Sequence, residues 1–422
     1  MQWIEVTGGQ TLQGKIRPAT AKNSVLPLLA ATLLCEGPCR LCDVPQLRDV
    51  DTSLALLHAV GGRAWRCGKD IQTRPATTLN GQIPPELAGA MRGSVFYLAP
   101  LLCRAGQVSL PLPGGCHLGP RPVDIHLAGL AAMGAQIETE GERVLLRRNG
   151  PLHAADFTLR LPSVGATLTL MMAACLAAGT TILRGVACEP EIEDTAMFLN
   201  ACGGCITGAG TPVMTIRGQE SLHGAMHTPL PDRIAAATYA AGVAVAGGKV
   251  CIQHCRPAHF ESFLQMLVKT GCEVETGKDQ VTVSRDPAWR LRGGAELYTA
   301  AYPEFATDTA PLAAAVLLGA HGPSTICDRL FQNRFACAEG FSAMGAETVR
   351  EGRTLKIAGD AVLRGAEVEA PDLRGGAALV VAALGARGTV RVRDEGHIRR
   401  GYAHLAADFS ALGADCRETW AK

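Results

Sequence analysis

The 422-residue sequence lacks any apolar run long enough to cross a lipid bilayer. A membrane-spanning helix needs about 20 consecutive apolar residues. The longest apolar stretches lie near 26–35, 168–178 and 377–384, and they predict buried helices instead. The first residues also lack the basic start and apolar core of a secretory signal. We therefore expect a cytoplasmic protein without a membrane segment.

The sequence also lacks an excess of either charge. It carries 40 basic and 39 acidic side chains, which gives a formal net charge of +1. This balance argues against a protein that binds nucleic acid or a membrane surface through its overall charge. A site for an anionic ligand must therefore be a local cluster. A chain of this length is expected to form two domains, although no biased linker marks a boundary.

The sixteen cysteines do not form a complete metal-binding pattern. Two C-x-x-C pairs occur, Cys39/Cys42 and Cys202/Cys205, but a zinc site would require both pairs to meet across a long gap. Many of the other cysteines lie in apolar stretches, where a thiol acts as a small buried hydrophobic group. We therefore predict no metal site.

A short phrase recurs six times along the chain, about 70 residues apart, and indicates an internal repeat. Each copy is a helix end followed by glycine and a small residue, and the copies lie at 59–62 (AVGG), 132–135 (AMGA), 201–204 (ACGG), 269–272 (KTGC), 343–346 (AMGA) and 411–414 (ALGA). The glycine suits the left-handed position that ends a helix.

A second phrase, a glycine followed by a short β run, precedes each copy, as at 178–183, 246–252 and 386–392. Together the two phrases predict six units built from helix, strand, helix and further strands. The helices before these glycines carry almost no charge, so we expect them to be buried on all sides with sheets outside. The units divide into an α/β domain at 22–230 and a second at 231–422, which the N-terminal residues 1–21 complete.

The loop at 111–126 (PLPGGCHLGPRPVDIH) is the most unusual stretch, with four prolines and three glycines. Cys116 follows two glycines and precedes Arg121 by five residues. A nearby cation favours the reactive thiolate, so this cysteine is a candidate for chemistry. The alternative is a proline-rich surface turn with an incidental cysteine.

Other polar residues stand at the ends of predicted elements. Lys22 and Asn23 begin an apolar helix, an arrangement that favours anion binding, with a surface lysine as the alternative. Asp308 precedes a small-residue helix and is either a base or a helix cap. Six arginines in similar positions would create a strong positive field if they converge: Arg92, Arg121, Arg233, Arg334, Arg374 and Arg400.

Along essentially its whole length the chain resembles the UDP-N-acetylglucosamine enolpyruvyl transferases. The resemblance rests on AKNS at 21–24, LPGGCHLGPRPVDIH at 112–126, SVGAT at 163–167, EPEIEDT at 189–195, LPDR at 230–233, NRF at 333–335 and HIRRGY at 397–402. The cysteine loop separates it from the sister shikimate-phosphate enzymes. The resemblance implies two inside-out α/β barrel domains, with an active site in the cleft between them that closes on substrate.

The family implies transfer of the enolpyruvyl group of phosphoenolpyruvate to the 3′-hydroxyl of UDP-N-acetylglucosamine. Phosphate is released by addition followed by elimination, in the first committed step of peptidoglycan precursor synthesis, and no cofactor is needed. Phosphoenolpyruvate would be held by Lys22, Arg92, Arg121 and Arg400. Cys116 would be the lid thiol that forms an adduct with phosphoenolpyruvate and is alkylated by fosfomycin.

The resemblance also implies which residues hold the nucleotide sugar. Asn23 and Asp308 would meet the sugar, with Asp308 as the base. The uridine would be framed by Arg121, Pro122, Val123, Asp124 and Ile125, and the diphosphate by Ser163, Val164 and Gly165. Arg334 would contact the nucleotide sugar, supported by Arg233, Asp372 and Arg374.

The chain departs from the family pattern at three places. Leu161 stands where the family has a lysine, with Arg160 beside it, while Gln332 replaces a glutamate and Gly93 an alanine. Two alternatives stay open: a diverged paralogue that acts on a different uridine nucleotide, and a non-catalytic regulatory homologue. Because the reactive positions of the family are retained together, the second alternative is disfavoured.

Overall fold

The computed structural model describes residues 2–111 and 123–420. The strands are β1 (Gln2–Thr7), β2 (Leu12–Ile16), β3 (Cys39–Leu41), β4 (Arg63–Cys67), β5 (Asp70–Arg74), β6 (Gln107–Pro111), β7 (Gln136–Glu140), β8 (Arg143–Arg147), β9 (Asp156–Thr158), β10 (Thr180–Arg184), β11 (Ile206–Thr207), β12 (Val213–Arg217), β13 (Met226–His227), β14 (Gly248–Gln253), β15 (Glu273–Thr276), β16 (Gln280–Arg285), β17 (Glu296–Tyr298), β18 (Ser324–Cys327), β19 (Thr348–Glu351), β20 (Thr354–Ile357), β21 (Glu367–Glu369), β22 (Thr389–Asp394) and β23 (Asp415–Trp420).

The α-helices are α1 (Lys22–Ala31), α2 (Arg48–Ala59), α3 (Pro85–Ala90), α4 (Leu98–Ala105), α5 (Asp124–Ala132), α6 (Val164–Ala174), α7 (Pro190–Ala201), α8 (Arg233–Ala246), α9 (Glu261–Thr270), α10 (Ala310–Leu317), α11 (Ala338–Ala343), α12 (Leu373–Ala383) and α13 (Leu405–Ala411). Short 3₁₀ segments lie at Thr32–Leu34, Arg92–Tyr97, Pro257–Phe260, Thr307–Thr309 and Ile398–Arg400. Within the described residues, no helix is long and apolar enough to cross a membrane.

The chain forms two compact units. The N-terminal unit comprises residues 20–111 and 123–230, and the C-terminal unit comprises residues 2–19 and 231–420. The N-terminal unit contains the sheets β13-β3-β5-β4, β9-β10-β12-β11 and β6-β8-β7. The C-terminal unit contains the sheets β2-β14-β16-β15, β17-β18-β20-β19 and β21-β22-β1-β23.

The predicted repeat is present in both units. Each copy runs helix, strand, helix, strand and strand, as in α1-β3-α2-β4-β5 and α8-β14-α9-β15-β16. The first helix of a copy has few charges and is buried over most of its length, and all eight residues of α10 are buried. In the C-terminal unit α8, α10 and α12 pack against one another. The predicted α/β fold, with buried helices and outer sheets, is confirmed.

The six glycines of the repeated phrase all adopt the left-handed conformation. Each follows the second helix of its copy, and the φ angles are 93° at Gly61, 96° at Gly134, 94° at Gly203, 106° at Gly271, 96° at Gly345 and 100° at Gly413. A side chain at such a position would cost roughly 1 kcal/mol or more. The glycines therefore end these helices as predicted and turn the chain toward the next strand.

The N-terminal strand β1 supplies the last strand of the sixth copy. It lies between β22 and β23 and pairs antiparallel with both. In its pairing with β22, Ile4 lies opposite Val392 and Val6 lies opposite Val390. Ile4 and Val6 are fully buried while their neighbours are partly exposed. This alternation fixes the register of β1, because a one-residue shift would expose both side chains.

Candidate functional site

In the N-terminal unit, the predicted binding residues lie where the buried helices begin. Lys22 and Asn23 form the start of α1, and Arg92 starts the 3₁₀ segment that leads into α4. Ser163 caps α6, where its side-chain oxygen accepts a hydrogen bond from the Ala166 amide at 3.3 Å. Amide groups and the positive end of the helix dipole favour an anion at such positions.

Lys22 is held by an acidic residue that the sequence did not point to. Its Nζ lies 3.1 Å from Oδ2 of Asp49, in the first turn of α2, and only 12% of the lysine side chain and 4% of the aspartate side chain are exposed. The ion pair fixes the ammonium group at the start of α1. An acidic residue in a first helical turn is common, so the sequence around Asp49 gave no functional signal.

A buried histidine lies near Arg92 and beside the start of α6. His126 is 3% exposed, and neither ring nitrogen has a hydrogen-bond partner among the described residues. Burial and the positive charge of Arg92 lower the pKa of His126 to about 4. A Cβ atom at Gly165 would lie 2.8 Å from Nε2 of this histidine. His126, which sequence reasoning missed, is therefore a neutral ring with two unused polar atoms beside Gly165.

Arg160 is bound by one of the predicted uridine residues. Its Nη2 donates to Oδ2 of Asp124 at 2.7 Å and its Nε to the same oxygen at 3.2 Å. Burial acts to raise the pKa of Asp124, but the hydrogen bond and charge of Arg160, together with nearby backbone amides, outweigh burial and lower the pKa. Leu161 is 42% exposed. Val123 precedes α5, and Ile125 lies in its first turn. The start of this helix therefore holds the positive charge of Arg160 near the start of α6.

In the C-terminal unit, a partly exposed carboxylate is held by two buried arginines. Oδ1 of Asp308 accepts a hydrogen bond from Nη2 of Arg334 at 3.2 Å, and Oδ2 lies 3.6 Å from Nη2 of Arg374. The arginine side chains are 2% and 6% exposed, against 27% for the aspartate. Burial acts to lower the pKa of Arg374, but Asp308, Tyr402 and Asp232 together outweigh burial and raise the pKa. The structure thus unites three residues that the sequence had singled out separately.

A second, fully buried carboxylate supports this cluster from behind. Asp328 accepts hydrogen bonds from the Thr307 hydroxyl and from the amides of Leu330 and Phe331, the latter two at 2.8 and 2.7 Å. Its Oδ2 lies 3.8 Å from Nε of Arg334, which also donates to the Thr307 hydroxyl at 2.9 Å. Asp328 directly follows β18, in the loop that leads to α11, and no motif marked it in the sequence.

Of the remaining residues, Asp232, Arg233 and Asp372 lie at helix starts. Asp232 caps α8 and Asp372 caps α12, and each accepts hydrogen bonds from the backbone amides of the second and third residues of its helix. Arg233, the first residue of α8, is buried and lies over the Tyr302 ring at 5.9 Å. Arg400 ends the 3₁₀ segment Ile398–Arg400, a half-buried position.

Three predicted site residues, Cys116, Arg121 and Pro122, lie outside the described residues. Of the departures from the family pattern, Gln332 is exposed and Gly93 is buried. A Cβ atom at Gly93 would approach the Leu26 side chain to 3.2 Å, which is tighter than ordinary packing. The glycine therefore fits the close approach of the 3₁₀ segment to α1.

Residues 6–409 match the EPSP synthase family (3-phosphoshikimate 1-carboxyvinyltransferase). The chain belongs to the enolpyruvyl transferase family. It is 40% identical over 412 residues to UDP-N-acetylglucosamine 1-carboxyvinyltransferase 2 of Caldanaerobacter subterraneus subsp. tengcongensis, a match that covers 98% of each chain. The family resemblance found in the motifs is therefore confirmed.

Solved structures agree with this family. The enolpyruvyl transferase NikO from Streptomyces tendae is similar over 100% of this chain and 99% of its own, with a TM-score of 0.88 and 26% identity. EPSP synthase from Acinetobacter baumannii matches with a TM-score of 0.75 at 18% identity over the whole of both chains, which shows the common fold.

Proposed function

We propose that this enzyme transfers the enolpyruvyl group of phosphoenolpyruvate to the 3′-hydroxyl of UDP-N-acetylglucosamine and releases phosphate. The observation that carries the proposal is the 40% identity, over 98% of both chains, to a UDP-N-acetylglucosamine 1-carboxyvinyltransferase. The product would enter peptidoglycan precursor synthesis. The enzyme would work in the cytoplasm, and the free thiols of all cysteines in the described ranges support a reducing compartment.

Phosphoenolpyruvate carries a phosphate and a carboxylate, and both need cations. Lys22, held by Asp49, and Arg92 would supply positive charge at helix starts in the N-terminal unit. Arg121 and Arg400 would complete the set. A lysine fixed by an ion pair loses little side-chain entropy when the anion binds, which favours a defined orientation of the substrate.

Asp308 would act as the general base. In the addition step it would take the proton of the 3′-hydroxyl as the oxygen bonds to C2 of phosphoenolpyruvate, while C3 gains a proton. In the elimination step C3 loses a proton, the bond from C2 to the phosphate oxygen breaks, and the double bond forms again. Arg334 and Arg374 contact the two carboxylate oxygens of Asp308 and would hold it in one orientation.

Cys116 would be the lid thiol. The thiolate favoured by Arg121 would add to C2 of phosphoenolpyruvate while the C2–C3 double bond takes a proton at C3, which gives a covalent adduct. The same thiolate would open the epoxide of fosfomycin by breaking one of its C–O bonds. A loop that closes over the intermediate would exclude water from a charged addition product.

The nucleotide would lie along the starts of α5 and α6. Amides at Val164 and Gly165 and the Ser163 cap would meet the diphosphate, with Asp124 beside the uridine. Arg160 would not replace the cation that the family places at 161, because its guanidinium is already paired with Asp124. A different uridine nucleotide is the second candidate substrate, favoured by the exposed Leu161 at this position.

A phosphate-release assay tests the proposal directly. Initial rates are measured with phosphoenolpyruvate and either UDP-N-acetylglucosamine or other uridine nucleotides. Phosphate release that depends on UDP-N-acetylglucosamine, with the highest kcat/KM for that sugar, is expected. A preference for another uridine nucleotide would support the second candidate, and no release with any of them would reject both.

A further inference from the structure

Three cysteines from separate parts of the N-terminal unit meet in its interior. Cys35 follows the 3₁₀ segment Thr32–Leu34, Cys39 begins β3 and Cys202 follows the last residue of α7. Their sulfur atoms all lie within 4.8 Å of one another, and the three residues are 1%, 3% and 0% exposed. The structure thus joins one cysteine of each C-x-x-C pair to a third cysteine that the sequence pattern did not include.

The backbone around these thiols is held closely. Cys35 forms an isolated parallel bridge with Leu222, and the carbonyl of Cys202 accepts a hydrogen bond from the His223 amide at 2.9 Å. A Cβ atom at Gly37 would lie 2.5 Å from the amide nitrogen of Gly224, so these two chain segments touch through their backbones. These backbone contacts fix the positions of the three cysteines, whose short side chains then bring the sulfur atoms together.

The spacing of the sulfur atoms fits three-coordination by a metal ion. A metal–sulfur bond of about 2.3 Å in a flat trigonal arrangement places the sulfur atoms about 4 Å apart. Zinc in structural sites takes four ligands, whereas soft thiolate ligands also select Cu(I). Within residues 2–111 and 123–420, Cys35, Cys39 and Cys202 are the one group of three or more histidine, cysteine or acidic residues whose ligand atoms lie this close together.

We propose that Cys35, Cys39 and Cys202 form a three-sulfur site for a soft monovalent d¹⁰ ion, Cu(I). Binding would displace thiol protons to solvent without any change of oxidation state. Two thiolates and one thiol around Cu(I) would leave a net charge of −1 in the interior. The site lies past the end of α1, roughly 20 Å along the helix axis from Lys22, so it is separate from the start of α1.

Anaerobic titration with Cu(I), in competition with a chromophoric Cu(I) chelator, tests the site on the full-length protein. Cys39→Ser and Cys202→Ser should each weaken Cu(I) binding by about 100-fold, because each ligand contributes a large part of the affinity. Cys255→Ser is the matched control, since Cys255 is also buried but lies in the C-terminal unit. All these variants keep Cys116, so the differences between them report on the three-sulfur site alone.

Cu(I) should also raise the unfolding temperature of the parent and of Cys255→Ser, but not that of the two site variants. A fall in affinity below about three-fold in the site variants, or an equal fall in Cys255→Ser, would overturn the proposal. If a serine variant fails to fold, anomalous scattering from Cu(I)-treated crystals of the parent protein shows where copper binds. Copper bound between the three sulfur atoms is expected, and copper found only elsewhere contradicts the site.

Discussion

Asp328→Asn tests whether the buried carboxylate behind Asp308 positions the proposed base. The change keeps the shape of the side chain and the acceptor for the amides of Leu330 and Phe331. It replaces Oδ2, which faces the Thr307 hydroxyl and lies 3.8 Å from Nε of Arg334, by an NH₂ group. Two donors would then face each other in a site where every atom of residue 328 is buried.

The magnitude follows from the contacts that are lost. A hydrogen bond to a charged group contributes about 1.5–3 kcal/mol, and removal of one partner of a buried ion pair costs about 3–5 kcal/mol. Arg334 keeps its contact with Asp308, so we expect the lower part of this range, about 2–3 kcal/mol of unfolding free energy. The same loss of orientation should reduce kcat by about 10–100-fold, since about 1.4 kcal/mol corresponds to a factor of ten.

Urea unfolding and phosphate-release kinetics measure the two effects. The KM for phosphoenolpyruvate should change little, because Asp328 contacts Thr307 and Arg334, which are not among the residues proposed to hold this substrate. Asp415→Asn, an exposed change of the same chemistry on β23, is the matched control and should alter neither quantity. A destabilisation below about 0.5 kcal/mol, or a kcat equal to that of the parent, would refute the positioning role of Asp328.

Four further predictions test the proposed roles of single residues. Asp308→Ala should lower kcat by about 10²–10⁴ with nucleotide-sugar binding retained in calorimetry, and a rate within a few-fold of the parent would make Asp308 only a structural residue. Leu161→Lys should lower the KM for UDP-N-acetylglucosamine by about 10–100-fold at fixed phosphoenolpyruvate, and an unchanged KM would show that another cation already meets the diphosphate. Fosfomycin should alkylate Cys116, and Cys116→Asp should resist it while retaining some turnover; an adduct on another cysteine in mass spectrometry, or none, contradicts the assignment. His126 has a pKa of about 4 in the folded protein against an ordinary 6.5. Above pH 6.5 the ring is neutral in the folded and the unfolded state, and the full stability is present. As the pH falls toward 4, the unfolded state binds the proton first, so the free energy of unfolding declines. Unfolding curves of His126→Gln should therefore lose about 3 kcal/mol of pH dependence between these limits, and a pH dependence equal to that of the parent would contradict the low pKa.

The parts of the fold set by local chemistry could be predicted from the sequence. A glycine between a helix and a strand has one physical role that neighbouring residues reveal, and Gly61 and Gly413 both show the expected left-handed angle. The charge-free helices likewise had to be buried, as α10 is. These features repeat with the unit, so each copy supports the interpretation of the others.

The partners of the site residues could not be predicted, because only the packing of distant segments creates them. Asp49 meets Lys22 through the placement of α2 beside α1, 27 residues away. Asp328 accepts a hydrogen bond from Thr307, 21 residues away, and lies in a loop with no special composition. Cys35 joins Cys39 and Cys202 across more than half of the N-terminal unit, while the C-x-x-C spacing pointed to other partners.

The identity of the reaction product decides whether this enzyme is a UDP-N-acetylglucosamine enolpyruvyl transferase. The purified protein is incubated with phosphoenolpyruvate and UDP-N-acetylglucosamine, and the nucleotide product is analysed by mass spectrometry and NMR. We expect one enolpyruvyl group joined by an ether bond to the 3′-oxygen of the sugar, formed in equal amount with phosphate. A product modified at another position, or phosphate released without any enolpyruvyl nucleotide, would contradict this expectation.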